Sequence, residues 1–445
     1  MTHTITLSSD SDVVLTAGVY QVMRYVPKSA PHADMLVTES ATVRVLASSL
    51  ATQQAAINDI EKAFELARRR RQTGAGDHVY IKLLESGDSD TYRSELWAED
   101  PDGLPGRVVI LDPTLDRYIW GAYVAKLQLI WTRRNYWEHN SETELALTDD
   151  SGAGATGGQA VINPGYVQIE SSDCFGSLLT PLRIEMTNSD SDNDIETMWV
   201  GLNYLSDPAN LVIDLECEQG DSDETASSDA LGAAYGLFTV TTTELELRSW
   251  SISGAQLGYA NQRYFKALLR FFNGTDITNV KLRLKLSYNS ETIWEGGQVE
   301  YDDTYMNSYL WRELDTVQLP PYKLEGSTST ALDLELWGIS TTGSSETINL
   351  DRLRLVPTDG YRKLVSKSGV TLASALVDDG ILDIKYQKVS TAIVSDITAE
   401  GEPIHIWPGL DNRLYFTWHS DDSDTAFITD LISVKAFYRQ RRLTL

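Results

Sequence analysis

Apolar and polar residues alternate along most of this chain, and the period changes once. Thr4-Ile-Thr-Leu7 alternates as a half-buried strand should, and Val13, Val14 and Leu15 read as its partner across a Ser-Asp turn. Residues 35–47 form a longer strand, with Val43, Val45 and Ala47 on one face. Then Ile57, Ile60, Phe64 and Ala67 stand at i, i+3, i+7 and i+10, which is one face of a helix. The spacing predicts a helix over about residues 50–71, with Ser48 or Ser49 as its N-cap. It closes on Arg68-Arg-Arg-Arg71, cations that complement the helix dipole, before Gly74 and Gly76. Period two resumes at Val79, Ile81 and Leu83, again over residues 107–111, and in a strand that starts near Val124 and ends Thr132-Arg-Arg-Asn-Tyr-Trp137. Strands, one long helix and more strands predict an antiparallel sheet or open barrel with a helix over residues 1–142.

Residues 143–165 are rich in glycine and read as a linker. Residues 166–360 are nearly pure β. Leu182, Ile184 and Met186 alternate with Arg183, Glu185 and Thr187; Leu282, Leu284 and Leu286 alternate with Lys281, Arg283 and Lys285; Leu332-Asp-Leu-Glu-Leu-Trp337 repeats the pattern. Many alternating strands joined by Ser, Thr, Asp and Gly loops predict a two-sheet sandwich. Residues 361–445 are also β, and Arg413-Leu-Tyr-Phe-Thr-Trp418 with Ser433-Val-Lys-Ala-Phe-Tyr438 read as a hairpin pair.

Composition narrows the function classes. The chain has 445 residues, 64 Asp and Glu against 37 Lys and Arg, and a net charge of −27. That balance disfavours wrapping duplex DNA, which needs basic surface. No apolar run approaches the roughly 20 residues of a membrane helix, so membrane insertion is not expected. The start, Met1-Thr-His-Thr-Ile5, has no basic segment followed by an apolar one, so a secretory leader is not expected either. Two cysteines, Cys174 and Cys217, exclude a four-cysteine zinc site within one chain; they read as small core residues rather than a bridge. There is no H-E-x-x-H, G-x-S-x-G, Walker A or dinucleotide glycine motif, so neither an enzyme nor a bound cofactor is expected.

Two features carry candidate chemistry. The interval from Trp294 to Trp311 is dense in aromatics, with Tyr301, Tyr305 and Tyr309 between acids and Asn307. Aromatic faces flanked by carboxylates suit sugar rings, so Trp294, Tyr301, Tyr305, Tyr309 and Trp311 are the candidate glycan contacts; core packing is the alternative. Arg68, Arg69, Arg70 and Arg71 are the most prominent basic cluster on an acidic chain and the candidate subunit contact; a solvated helix end is the alternative. Asp190-Ser-Asp-Asn-Asp194 has carboxylates at alternate positions, but Ile195 stands where a calcium loop of the EF-hand type needs Gly. Asp221-Ser-Asp-Glu224 and Asp421-Asp-Ser-Asp424 are similar, so solvated turns are expected and a structural calcium in the sandwich stays open.

Three pieces together resemble structural proteins of tailed-phage tails: the strand–helix–strand segment with residues 51–71 and 79–83, the Arg-aromatic corner Leu129-Ile-Trp-Thr-Arg-Arg-Asn-Tyr-Trp-Glu138, and the closing Gly401-Glu-Pro-Ile404 with Pro408-Gly-Leu-Asp-Asn-Arg-Leu-Tyr-Phe416. The third is similar to the end of distal tail and other baseplate proteins. The resemblance implies a split β-barrel with one helix, forming a six-membered homo-oligomeric ring that touches tail tube and hub proteins. It also implies an outward sandwich, jelly-roll or galectin-like, that meets host-surface glycans. The chain would then be a virion tail component, assembled in the host cytoplasm. On this view residues 1–142 and 361–445 complete one discontinuous domain around an inserted sandwich. The rival readings are a free carbohydrate-binding or adhesin module, and a glycan-degrading enzyme.

Overall fold

The computed structural model describes residues 3–9, 12–30, 35–73, 78–85, 90–100, 102–111, 118–119, 121–148, 154–189, 194–204, 214–218, 224–227, 230–231, 234–253, 256–257, 263–272, 279–302, 310–320, 332–394, 396–420 and 431–443. The chain is mainly β, with antiparallel sheets packed as sandwiches and one long helix. It divides into two compact units. The first holds residues 1–143, 175–180 and 439–445; the second holds residues 144–174 and 181–438.

The first unit packs two sheets and the helix around one core. One sheet runs in the order Val13–Val14, His3–Ser8, Tyr80–Glu85, Thr91–Glu95, Trp137–His139, Arg441–Arg442. The other runs Tyr20–Tyr25, Leu36–Ala47, Ala122–Arg134, Gly106–Ile110. The helix spans Leu50–Thr73 and buries Ala56, Ile57, Ile60, Ala63, Phe64 and Ala67. Ser49 caps it, its Oγ accepting from the Thr52 amide at 3.1 Å. Gly106 lets the Phe64 ring lie on the sheet: a Cβ there would stand 2.3 Å from the ring. The buried Glu39 carboxylate is fully satisfied. It accepts from Tyr25 Oη at 2.8 Å, Trp131 Nε1 at 3.2 Å, Arg133 Nη2 at 2.7 Å and the Lys28 amide at 2.7 Å.

The second unit is two sandwiches, one inserted in the other. The host sandwich pairs a sheet containing Leu431–Tyr438, Thr180–Asn188, Ala375–Asp379 and Ile384–Val389 with one containing Gly165–Ile169, Asn412–Ser420, Ile195–Asn203, Tyr361–Val370 and Ile397–Glu400. Ile184, Met186, Met198, Val200, Leu364, Leu414, Phe416, Ile432 and Val434 fill its core. The inserted sandwich has a sheet in the order Glu224–Ala226, Ala234–Val240, Glu346–Pro357, Tyr264–Phe271, Trp311–Gln318. Its second sheet runs Leu245–Ile252, Leu332–Ser340, Asn279–Tyr288, Glu291–Glu295. The predicted leucine alternation supplies its core: Leu282, Leu284, Leu286, Leu332, Leu334 and Leu336.

This arrangement corrects three expectations. Residues 361–438, expected to complete the N-terminal domain, pair within the second unit, because their strands bond to Ile195–Asn203 and Thr180–Asn188. Only the end, through Arg441–Arg442 bonded to Trp137–His139, joins the first unit. The expected linker contributes strands instead: Leu147–Thr148 pairs Gly165–Ile169, and Gln159–Ile162 pairs Leu431–Tyr438. The strands Asn412–Ser420 and Leu431–Tyr438 are not a hairpin pair but lie in opposite sheets of the host sandwich.

The insertion leaves from the strand Ile195–Asn203 and returns to Tyr361–Val370, which pair directly, Gly201 opposite Tyr361. Between the sandwiches, Trp199 packs with Leu268, Trp311 and Val356. Glu313 sits at the edge of this cluster. Its Oε1 accepts from Trp199 Nε1 at 3.0 Å and lies 2.7 Å from Lys363 Nζ; its Oε2 lies 3.2 Å from Lys266 Nζ. Burial alone would raise the carboxyl pKa, but the bonds from Lys363 and Trp199 and the charges of Lys363 and Lys266 hold it down at about 2. His419 stands edge-on to Trp199 with ring centroids 5.1 Å apart. Burial pushes its imidazole down to about 3, and the nearby Arg312 adds to the shift.

Two outcomes are expected. Gly106→Val forces Phe64 off the sheet and lowers stability by about 1–3 kcal/mol, measured by urea unfolding. His419 is neutral in the fold, so the unfolded chain takes up its proton first; stability therefore falls as pH drops from about 6.5 towards 3, by up to about 1.4 kcal/mol per pH unit. His419→Gln removes that proton uptake. The urea midpoint of the variant should fall less than that of the parent between pH 7 and pH 4.5; equal falls would refute the assignment.

Candidate functional site

The described residues of the aromatic interval do not converge on one exposed surface. Tyr301 is buried: its hydroxyl donates to the Glu313 carbonyl at 2.9 Å, and its ring meets Phe271 at 5.0 Å. Trp311 is 1% exposed and packs between the two sandwiches. Trp294 is half-buried against the core of the inserted sandwich. Tyr305 and Tyr309 lie outside the described residues, as do Asp190 and the acids at 221, 223, 421, 422 and 424. Core packing thus claims Tyr301 and Trp311, because their strands place them on faces that neighbouring layers cover. No group of three His, Cys, Asp or Glu suited to a metal occurs among the described residues. Cys174 and Cys217 are free thiols, one in each sandwich core.

The open face of the inserted sandwich carries a denser constellation. In the strand Leu332–Ser340 the leucines point inward, so Asp333, Glu335 and Trp337 point out. Registry sets their neighbours. Trp337 lies opposite Glu246 on one side and Arg283 on the other; Glu335 lies opposite Ser249 and Lys285. Trp337 Nε1 donates to Glu335 Oε2 at 2.7 Å, and Lys285 Nζ stands 3.7 Å above the indole centroid. Glu244 gathers Arg283, Lys285 Nζ at 3.4 Å and Gln298 Nε2 at 3.0 Å; Arg283 also pairs with Glu295. Burial, with Glu335 and Asp333 nearby, raises the Glu246 carboxyl above its ordinary range. This face offers one ring, several carboxylates and two cations on rigid strands, the group types that bind polyhydroxylated ligands. It was readable from the period-two pattern around Trp337 but carried no local cluster in the sequence.

The arginine cluster at the helix end is engaged at home. Arg68 binds Glu65 and donates to Gln72 Oε1 at 2.7 Å, while Arg69 Nε reaches Glu65 Oε1 at 3.0 Å. Bonds from Arg68 and Arg69 hold the Glu65 carboxyl down at about 2. Arg70 Nη2 lies 3.0 Å from His78 Nε2, whose Nδ1 lies 2.5 Å from Glu95. Arg71 donates to the carbonyls of Ala98 and Glu99 and stacks over Trp97 at 4.5 Å. These contacts tie the helix end to the loop around Trp97.

No family model matches the chain, and no curated protein matches it. Among solved structures it is similar to chains of infectious bursal disease virus particles. The T13 particle of that virus gives 7% identity over 68% of this chain and 77% of that one, with a TM-score of 0.18. The VP2 subviral particle gives 8% identity over 67% and 80%, with a TM-score of 0.19. Likeness at that level carries no argument about fold or function.

Charge divides between the units. The first unit has 19 acidic and 18 basic side chains, a net −1; the second has 45 and 19, a net −26. The acidity of the chain is thus a property of its sandwiches.

Proposed function

We propose that the chain is a structural protein of a virion, a component of a phage tail or baseplate. The first unit supplies an assembly surface, and the second unit keeps an outer face presented to the surroundings. The division of charge carries this reading. A unit near neutrality associates with little self-repulsion, whereas a net −26 keeps the other unit soluble and apart from its equivalents. The phage-tail resemblance of the Arg-aromatic corner points the same way, and that corner is built into the first unit: Arg133 bonds Glu39 and lies over Trp137 at 4.1 Å. The expected product is a closed homo-oligomeric ring. Electron micrographs and native mass measurement of the full chain, together with antibody labelling of virion fractions, should show rings or a virion-bound protein. A monomer at high concentration that is also missing from virions would overturn the proposal.

The outer face around Trp337 favours a second reading, glycan contact by the second unit. An indole among Glu335, Lys285, Arg283 and Glu244 offers C–H stacking together with charge-assisted hydrogen bonds to hydroxyls. Glycan-array binding by the full chain should fall about tenfold or more in Trp337→Ala and Glu335→Gln. It should persist in Trp294→Phe. Silence of the parent chain on a broad array, or equal binding by all three variants, would reject this face.

A further inference from the structure

The sheet of the first unit that carries the helix on its inner side leaves its other side open. That side is formed by alternate residues of Tyr20–Tyr25, Leu36–Ala47, Ala122–Arg134 and Gly106–Ile110. Registry gives its rows. Gln21, Arg44 and Lys126 form one; Arg24, Thr42, Gln128 and Val109 the next; Ser40, Ile130 and Arg107 the third. Leu46 opposite Val124 and Thr38 opposite Thr132 extend it at either end, and the two threonine hydroxyls meet at 3.3 Å.

Two properties set this face apart. Among the described residues its rows hold four cations, Arg24, Arg44, Arg107 and Lys126, and no carboxylate; Arg134, which ends the same alternation opposite Leu36, is instead paired with Glu95 and stacked on Trp97. Among the described residues none of the four has an ion pair, whereas the other buried or half-buried arginines of the unit, such as Arg93, Arg133 and Arg134, are paired or stacked. Arg44 and Lys126 stand directly opposite each other, where like charges oppose strand pairing. Arg24, Arg107 and Lys126 are exposed, and apolar side chains accompany them: Leu46 is 39% exposed and Met23 45%. Among the described residues no aromatic ring lies within these rows for base stacking. Cations mixed with exposed aliphatics fit an acidic protein surface.

We infer that this face docks the acidic second unit of another copy of the chain, a head-to-tail contact of basic sheet against acidic sandwich. The inference rests on the assembly proposed above and names its interface. The occupant follows from charge complementarity: the excess acid of the chain lies almost entirely in its second unit, at net −26. A heterologous contact of this kind repeats around a ring when its rotation closes. It also relieves the Arg44–Lys126 opposition, which no ion pair among the described residues of one copy does.

The test uses full-length chain, half of it isotopically labelled, treated with a carbodiimide that joins lysine to carboxylate at zero length. Lys126 should couple to Asp or Glu within residues 144–438 of the other copy. Arg44→Glu with Lys126→Glu should weaken association about tenfold or more, while Arg44→Lys retains it. Raising salt to about 0.5 M should dissociate the parent oligomer. Circular dichroism and the urea midpoint of each variant guard against simple misfolding. Crosslinks confined to one copy, or oligomers indifferent to the double reversal, would overturn the inference and leave the assembly reading standing. Absence of any oligomer, in solution and in virions, would sink that reading itself. Retention on duplex DNA by a monomer, lost on reversal, would replace the protein partner with a polyanion.

Discussion

Glu313 and the ring of Trp199 hold the two sandwiches of the second unit in one arrangement. A half-buried carboxylate loses part of its hydration, a cost that ion pairs and hydrogen bonds offset. Glu313 offsets it with donors from both sandwiches: Lys266 from its own, Trp199 and Lys363 from the host. Neither sandwich alone supplies them all. The chain path adds a second constraint, since the insertion leaves and returns through two paired strands of the host. Gly201 lets those layers close, because a Cβ there would meet Val356 at 2.4 Å.

The junction decides which surface is free to act. An inserted sandwich has two outer faces. Leu268, Trp311 and Val356 commit one of them to the host, so the face left open is the sheet that bears Trp337. Its side chains stand on strands, not on loops, and their rotamers are held by Glu244, Arg283 and Lys285 in a shared network. Such a surface is preorganised, and ordering costs on binding are correspondingly small.

Local period was legible in the sequence; partnership was not. Ile57, Ile60, Phe64 and Ala67 announced the helix because 3.6-residue spacing needs no distant information, and all four are buried as expected. The leucines of the inserted sandwich were legible for the same reason. Residues 361–438 look alike whichever sheet receives them, and successive strands usually pair, which made Asn412–Ser420 and Leu431–Tyr438 read as a hairpin. Their separation reflects non-local pairing: Asn412–Ser420 sits between Gly165–Ile169 and Ile195–Asn203, more than 200 positions earlier. Trp311 misled in another way. Its strand turns it outward from its own core, as a ligand contact would be, but the host sandwich covers that face. Trp337 has the same alternation but is half-buried under Lys285 of its own sheet, and no second layer covers it among the described residues. Period two separates inside from outside for one sheet and says nothing of a second layer.

The same logic gives meaning to charges that lack ion pairs among the described residues. Where this fold faces cations with no outside help, it supplies acids: Arg133 has Glu39, Arg93 and Arg441 share Glu138, Arg283 has Glu244 and Glu295. An antiparallel sheet could answer Arg44 with a carboxylate at position 126 as readily as with Lys126, and pairing there would gain a few tenths of a kcal/mol to about 1 kcal/mol where the present pair opposes it. Intrachain stability therefore does not account for the basic face. A surface that is locally unfavourable in the single chain, on a unit whose net charge is −1, is accounted for by a partner that brings the missing negative charge. The second unit, at −26, has that charge in excess.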